Sequence, residues 1–283
     1  MTKQLTISCE FFPPKTDKGI ANLLDVRQAL APLKPEFYSV TFGAGGSTQD
    51  NTLAAVIDIQ QASAQTGIDA APHLSCVGST SDSIRDLLTT FQDNDIKRIV
   101  ALRGDLPSGM RDPGDFRYAN ELIDFIRQET GDHFNIEVAA YPEVHPQAAS
   151  AQADLDNFKR KVDAGANSAL TQYFYNIDAY LYFVDRCQAK GIDIPIIPGI
   201  MPINNYEQLA RFSSTCGAEI PRWLGKRLED FKDDPESLQA FTLDFLTGFS
   251  QKLIDADVPG LHFYSMNRVD PTLTICQRLG LIS

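Results

Sequence analysis

The chain has 283 residues, of which 43% are hydrophobic and 22% charged, the profile of an ordinary globular protein with one large domain or two small ones. A net charge of −12 excludes a general nucleic-acid or membrane-surface binder, since both need a positive field. No apolar run approaches the roughly 20 residues of a membrane span, and the opening MTKQLTISCEFF lacks the apolar stretch and cleavage site of a signal peptide. Five scattered cysteines (Cys9, Cys76, Cys187, Cys216, Cys276) form no CxxC pair, which points to reduced thiols in a cytoplasmic protein rather than disulfides or a zinc site.

Along the chain, short β-rich runs alternate with helical stretches, the pattern of parallel strands joined by crossover helices. LTISCEFF (5–12) precedes a helix at 17–32, EFYSVTFG (36–43) one at 48–66, and DAAPHLSC (69–76) one at 81–93. IKRIVALRG (96–104), NIEVAAYP (135–142) and SALTQYFY (168–175) lead into helices at 118–130, 150–164 and 178–190. IPIIPGIM (194–201) and GLHFYSMN (260–267) precede helices at 205–215 and 271–279. Ser47 and Ser81 are expected to cap their helices, and Gly67, Gly165 and Gly191 to supply the left-handed residue past a helix end. The stretch 217–257 is longer than a barrel needs and predicts an extra helix near 236–256.

These units predict an α/β fold: a single eight-stranded β/α (TIM) barrel over 1–283, with an extra helical insert between strands seven and eight. The rival is an open doubly wound sheet. It would place GxGxxG after the first strand, where this chain runs into FFPPKT instead.

Barrel enzymes carry their chemistry at the C-terminal ends of the strands. There this sequence presents Glu10, Thr41, His73, then Arg103, Gly104 and Asp105, then Tyr141 with Glu143 and His145, then Gln172, and finally Asn267 and Arg268. Singly each has a bland reading: a lone Glu is usually solvated, His73 beside Pro72 could be a core histidine, and RGD at 103–105 occurs by chance. The joint pattern, a polar group at the same rim of seven of eight strands, is what points to a site. Further on, Asp154, Asn157 and Lys161 fall at i, i+3 and i+7 on one helix face flanked by Arg160. That face is either an ordinary charged exterior or a clamp for a long anionic cofactor, with Lys161 and Arg160 near phosphates and Asp154 near a ribose hydroxyl.

The strings CEFFPPKT, SVTFGAGGST, APHLSC, IVALRGDLP, AAYPEVHP, KRKVDAGAN, TQYFY, PGIMP and HFYSMNR occur in order over nearly the whole chain. Together they resemble those of bacterial methylenetetrahydrofolate reductases. The resemblance implies a β/α barrel holding FAD, which takes hydride from NADH or NADPH and passes it to 5,10-methylenetetrahydrofolate, with Glu10 as general acid and Asp105 by the flavin and the pterin. It places Thr41, Phe42, Ala44, His73, Arg103, Gly104, Asp105, Tyr118, Ala119, Tyr141, His145, Ala148, Asp154, Asn157, Arg160 and Lys161 around FAD. Glu10, Thr41, Asp105, Gln172, Gln208, Phe212 and Arg268 would meet the substrates. It also implies a homo-oligomer, up to a tetramer, and no metal. The chain ends at Ser283, leaving no room for the C-terminal regulatory domain of eukaryotic relatives, so no control by S-adenosylmethionine through such a domain is expected.

This chemistry has physical requirements. Opening the substrate's five-membered ring releases an amine that needs a proton, so the site needs an acid. Burial beside Phe11 and Phe12 is expected to raise the Glu10 pKa and keep it protonated. A carboxylate at Asp105 would disfavour an anionic reduced flavin and attract the cationic substrate. A metal-dependent barrel lyase or hydrolase, with Glu10, His73, Asp105 and His145 converging on one ion, is the alternative, although no HxH or HExxH signature supports it. A Schiff-base aldolase has no rim lysine, because Lys97 starts its strand. A carrier without turnover would not need an acid at Glu10.

Overall fold

The computed structural model describes residues 5–42, 46–105 and 114–282, with the backbone alone for 46–48. Among these residues nine parallel strands form one sheet: β1 (Thr6–Phe11), β2 (Phe37–Val40), β3 (Asp69–Ser75), β4 (Arg98–Leu102), β5 (Asn135–Ala140), β6 (Ser168–Thr171), β7 (Ile196–Ile197), β8 (Gly199–Ile200) and β9 (Gly260–Tyr264). Their order is β7-β6-β5-β4-β3-β2-β1-β9-β8. The two end strands are separated in sequence only by Pro198, so the sheet curls into a nearly closed β/α barrel.

Eight strands were expected, and the ninth comes from Pro198. Proline has no N–H to give a ladder, so the expected strand 194–201 breaks there into two short pieces. β7 pairs with β6, β8 pairs with β9, and the Pro198 carbonyl still accepts from His262 N at 3.0 Å. The break lets one segment serve both sides of the closure.

Ten α-helices follow: α1 (Asp17–Leu30), α2 (Gly46–Thr66), α3 (Ser81–Asp93), α4 (Ala119–Thr130), α5 (Ala151–Asp163), α6 (Ile177–Ala189), α7 (Tyr206–Cys216), α8 (Arg222–Asp230), α9 (Pro235–Asp255) and α10 (Thr272–Arg278). α3 shows how each is specified. Thr80 and Ser83 form a capping box, and Ile84, Leu88 and Phe91 bury one face at i, i+4 and i+7. The caps therefore differ from expectation: Ser81 is the first residue inside α3 behind the true cap Thr80, and Ser47 is the second residue of α2. Gly67, Gly165 and Gly191 do take positive φ past their helices. The insert holds two helices, not one. α8 was missed because RWLGKRLED reads as polar, with only Leu224 and Leu228 turned inward. None of the described helices is long and apolar enough to cross a membrane.

The barrel interior is layered. At its N-terminal end, fully buried Glu137 accepts from Arg98 and from Ser168 Oγ, and Arg98 also reaches Glu36. Above lies a small apolar layer of Phe37, Ala71, Val100, Leu170 and Ile197, packed by Leu102. The larger core, between sheet and helices, seals the outside of the barrel.

Candidate active site

Above the apolar layer the interior turns polar. Residues two apart on a strand share a face, so Ser8 and Glu10 on β1 point inward together, as do His262 and Tyr264 on β9. The parallel register sets Ser8 beside His262 and Glu10 beside Tyr264. Ser8 Oγ lies 2.8 Å from His262 Nδ1, and the imidazole stacks on Phe37 at 6.2 Å. Glu10 Oε2 sits 3.2 Å from His73 Nε2 and 3.6 Å from His262 Nε2, so one carboxylate faces two imidazoles. Side-chain exposure falls from 14% at Glu10 to 9% at His73 and 0% at His262, which makes Glu10 the member that meets the mouth.

This arrangement corrects the expected state of Glu10. Burial pushes the carboxyl up, as the sequence suggested. The charges and hydrogen bonds of His73 and His262 together outweigh burial and bring it down to about 2. The trio thus forms one close-packed unit that reaches the mouth through Glu10. His262 and Ser8 were not found from sequence. The signal lay in the alternation of GLHFY, where His262 and Tyr264 face inward and Leu261 and Phe263 outward.

Around the rim, Tyr264 OH donates to Thr171 O at 2.7 Å, and Gly199 N donates to Thr171 Oγ1 at 2.9 Å, tying β9, β6 and β8 together. Thr41 continues the β1–β2 ladder by donating its N–H to Phe11 O at 2.9 Å, and Phe42 follows it half-buried. Gln172 N donates to Ala140 O at 2.8 Å. Ala44 lies outside the described residues.

A second cluster follows β4 and β5. β4 ends at Leu102 and Gly104 takes φ +80, so the backbone turns between Arg103 and Asp105 and the expected extended strand is absent there. A Cβ on Gly104 would stand 3.0 Å from Ser75 Cβ, and the positive φ adds strain for any side chain, so the position suits glycine. Arg103 donates to Gly104 O and to Gln147. The Tyr141 and His145 rings meet edge-on at 4.5 Å, and Asp154 accepts from His145 N at 2.9 Å. Burial pushes Tyr141 up to about 12, with Asp105 and Asp154 adding to it. Burial also lowers His145, against the pull of Asp154 and with help from Arg103 and Lys161. Burial brings Lys161 down to about 8, opposed by Asp154, and its ammonium donates to Ala139 O. Asp154 and Lys161 therefore turn toward the rim, while exposed Arg160 donates to Asn157. Ala148 N donates to His145 O at 2.9 Å and closes the loop.

The remaining expected residues sit farther out. Tyr118, 56% exposed, caps α4 just before buried Ala119, and Phe212 on α7 is 40% exposed, one turn beyond Gln208. Arg268 is exposed past β9. A cavity of about 650 Å³ lies on the barrel flank between α6, α8 and α9, lined by Tyr175, Trp223 and Phe245 among others. Size alone would choose that cavity over the strand ends, yet it holds none of the rim residues.

The family pattern described as methylenetetrahydrofolate reductase matches residues 1–280. The 5,10-methylenetetrahydrofolate reductase of Escherichia coli K12 is 42% identical over 278 residues, covering 98% of this chain and 92% of that protein. The chain belongs to the methylenetetrahydrofolate reductase family. A plant relative, methylenetetrahydrofolate reductase (NADH) 1 of Arabidopsis thaliana, is 39% identical over 292 residues, and this reductase spans 49% of its length. An uncharacterized Clostridium thermocellum protein that binds two copies of 5-methyl-5,6,7,8-tetrahydrofolic acid superposes with a TM-score of 0.62 at 17% identity. It covers 97% of this chain, with 94% of its own, and confirms the fold. Reduction of methylenetetrahydrofolate is the activity that family membership carries. The metal-dependent alternative is not favoured. Among the described residues no three His, Cys, Asp or Glu side chains are grouped to hold a metal ion.

Proposed function

We propose that this reductase uses FAD to carry hydride from NADH or NADPH to 5,10-methylenetetrahydrofolate, with Glu10 supplying the proton that the opening ring requires. The observation that carries the reading is the Glu10–His73–His262 trio, in which one carboxylate lies within 3.2 Å and 3.6 Å of two imidazoles and is the most exposed of the three side chains. The proton leaves through Glu10 to the substrate amine, and the two histidines behind it refill the carboxylate. Tyr264 and Thr171 fix the far wall, and Gln172, Gln208, Phe212, Thr41 and Arg268 line the path by which folate and nicotinamide enter.

The residues present suit FAD. Arg103, Arg160 and Lys161 supply cations for its phosphates, Asp154 and Asn157 polar groups for its ribose and ribityl chain, and Gly104 a bare backbone against which a flat ring fits. His73, Phe42, Tyr118, Ala119, Tyr141, His145 and Ala148 complete the lining. When bound, the flavin supplies a hydride carrier that one substrate fills and the other empties. Asp105 beside it disfavours negative charge on the ring and attracts the cationic form of the opened folate. The NADH in the plant relative's name supports a nicotinamide donor.

The test is spectroscopic and kinetic. Purified protein should be yellow, bleach when NADH is added anaerobically, and recover its colour with methylenetetrahydrofolate. If both substrates use one flavin face in turn, initial-rate lines against varied folate are parallel, the ping-pong pattern. Lines converging left of the axis mean a ternary complex and remove the shared site. A colourless protein that reduces folate removes the flavin. The same reading includes a cytoplasmic homo-oligomer, up to a tetramer, which light scattering tests against the 31.3 kDa monomer.

A further inference from the structure

We infer that Asn267 is a positioning residue for the folate half of the reaction, holding the end of β1 and the loop carrying Arg268 in one register through its side-chain amide. The inference rests on the reading of Glu10 and Arg268 given above. β9 ends at Tyr264, yet its attachment to β1 continues. Ser265 donates twice to the Glu10 carbonyl, from N at 3.2 Å and from Oγ at 2.6 Å. The chain then turns left-handed at two consecutive non-glycine residues, Met266 at φ 55 and Asn267 at φ 54. A backbone in that conformation cannot carry a β ladder onward.

At this point the Asn267 side chain takes over. Its Oδ1 accepts from Phe12 N at 2.8 Å and its Nδ2 donates to Phe12 O at 3.0 Å, satisfying with one side chain the two backbone groups that a parallel ladder would pair with two residues. Its backbone is held as well: the carbonyl accepts from Asn22 Nδ2 of α1 at 3.1 Å, and the N–H donates to Ser265 Oγ at 3.3 Å. Arg268 N closes the turn on Ser265 O at 3.0 Å. Glu10 is therefore bracketed, with Ser265 on its own carbonyl and Asn267 on the residue two beyond it, and Arg268 is launched from the same turn. Asn is among the few residues that accept a left-handed backbone, and its amide offers one donor and one acceptor in the spacing that a peptide group needs. Left-handed strain at a site mouth is retained where the surrounding contacts over-determine it.

A purely structural anchor and a positioning residue predict different outcomes. Asn267→Gly keeps the left-handed turn without strain and deletes the amide, whereas Asn267→Asp keeps the acceptor for Phe12 N and sets a carboxylate against Phe12 O. Each is purified with FAD and followed by anaerobic stopped flow in two steps, flavin bleaching by NADH and recovery with methylenetetrahydrofolate. Bleaching should stay within about twofold of wild type. Recovery should slow about tenfold to 100-fold, the range that a misplacement near 1 Å produces, with a raised folate KM. If both steps slow together, or if neither variant keeps its flavin, the amide is a general anchor and the inference is wrong. If recovery is unchanged while only thermal stability falls, it is equally wrong. Failure of the wild-type flavin to recover with methylenetetrahydrofolate would instead remove the proposed function, and this inference with it.

Discussion

Glu10 and Lys161 are two rim side chains whose ionisation the fold alters, and each gives a measurable consequence. NADH needs no protein acid to give up hydride, but the folate amine needs a proton. Glu10→Gln keeps the shape of the side chain and cuts the path from His73 and His262. General acid catalysis is commonly worth about 10²–10⁴-fold, or about 3–5 kcal/mol of barrier. The variant should bleach normally with NADH and recover with folate slower by that factor. Loss of bleaching with normal recovery would assign Glu10 to nicotinamide. For Lys161, burial brings the ammonium from 10.5 to about 8. Between those values the unfolded chain keeps a proton that the folded chain has released, so stability rises with pH across that window. A bound phosphate favours the charged form. FAD affinity of the apoprotein should therefore fall as pH rises through about 8. Lys161→Met should bind FAD more weakly at neutral pH, lose that pH dependence, and stabilise the apoprotein on the order of 1 kcal/mol. A titration of FAD into wild-type protein that is flat across the window would remove Lys161 from the phosphate site.

Among the elements, the β7–β8 break is the closure on which the rim depends. Gly199 follows Pro198 and packs where no side chain fits: a Cβ there would stand 2.4 Å from Thr171 O and 2.7 Å from the Tyr264 ring. The same two groups make the bond that ties β9 to β6. Gly199→Ala must push β8 away from both, and overpacking of this kind costs about 1–3 kcal/mol or more. Gly248 is the control. It lies inside α9 with nothing within 4 Å of an added Cβ, so Gly248→Ala should stabilise by about 0.5–1 kcal/mol through helix propensity. Denaturant midpoints of the two variants should move in opposite directions. A neutral Gly199→Ala would mean that the closure is looser than its contacts indicate.

At the scale of the whole molecule, a buried polar plug and the proposed chemistry sit at opposite ends of one barrel. The lower end is plugged by Glu137, Arg98 and Ser168, with the Arg98 guanidinium 4.5 Å over the Phe37 ring. Removing one partner of a buried pair strands the other charge, which costs about 3–5 kcal/mol. Glu137→Ala should lose stability by that amount while the folded fraction keeps wild-type flavin potential and folate turnover per bound FAD. A change in either would mean that the plug reaches the site through the apolar layer between them.

The sequence by itself determined the order of the elements, because alternating β-rich and amphipathic runs leave parallel strands and crossover helices as their burial solution, and strand ends then specify which residues form a rim. Glu10, Thr41, His73, Tyr141 and Gln172 were legible for that reason. The motif strings carried the family, and through it the reaction. Which side chains meet across the barrel was decided only in three dimensions. Ser8 and His262 are 254 positions apart and come together through parallel register at the seam. The histidines beside Glu10 reverse the effect that burial has on its carboxyl, a result no local pattern contains. Likewise Pro198 reads as part of one strand until closure asks that segment to pair on two sides, and Asn267 reads as a loop residue until the left-handed turn leaves its side chain in place of a ladder. Periodicity in a sequence records which face is buried. Contacts between distant strands depend on register, and register is set by the closed sheet as a whole.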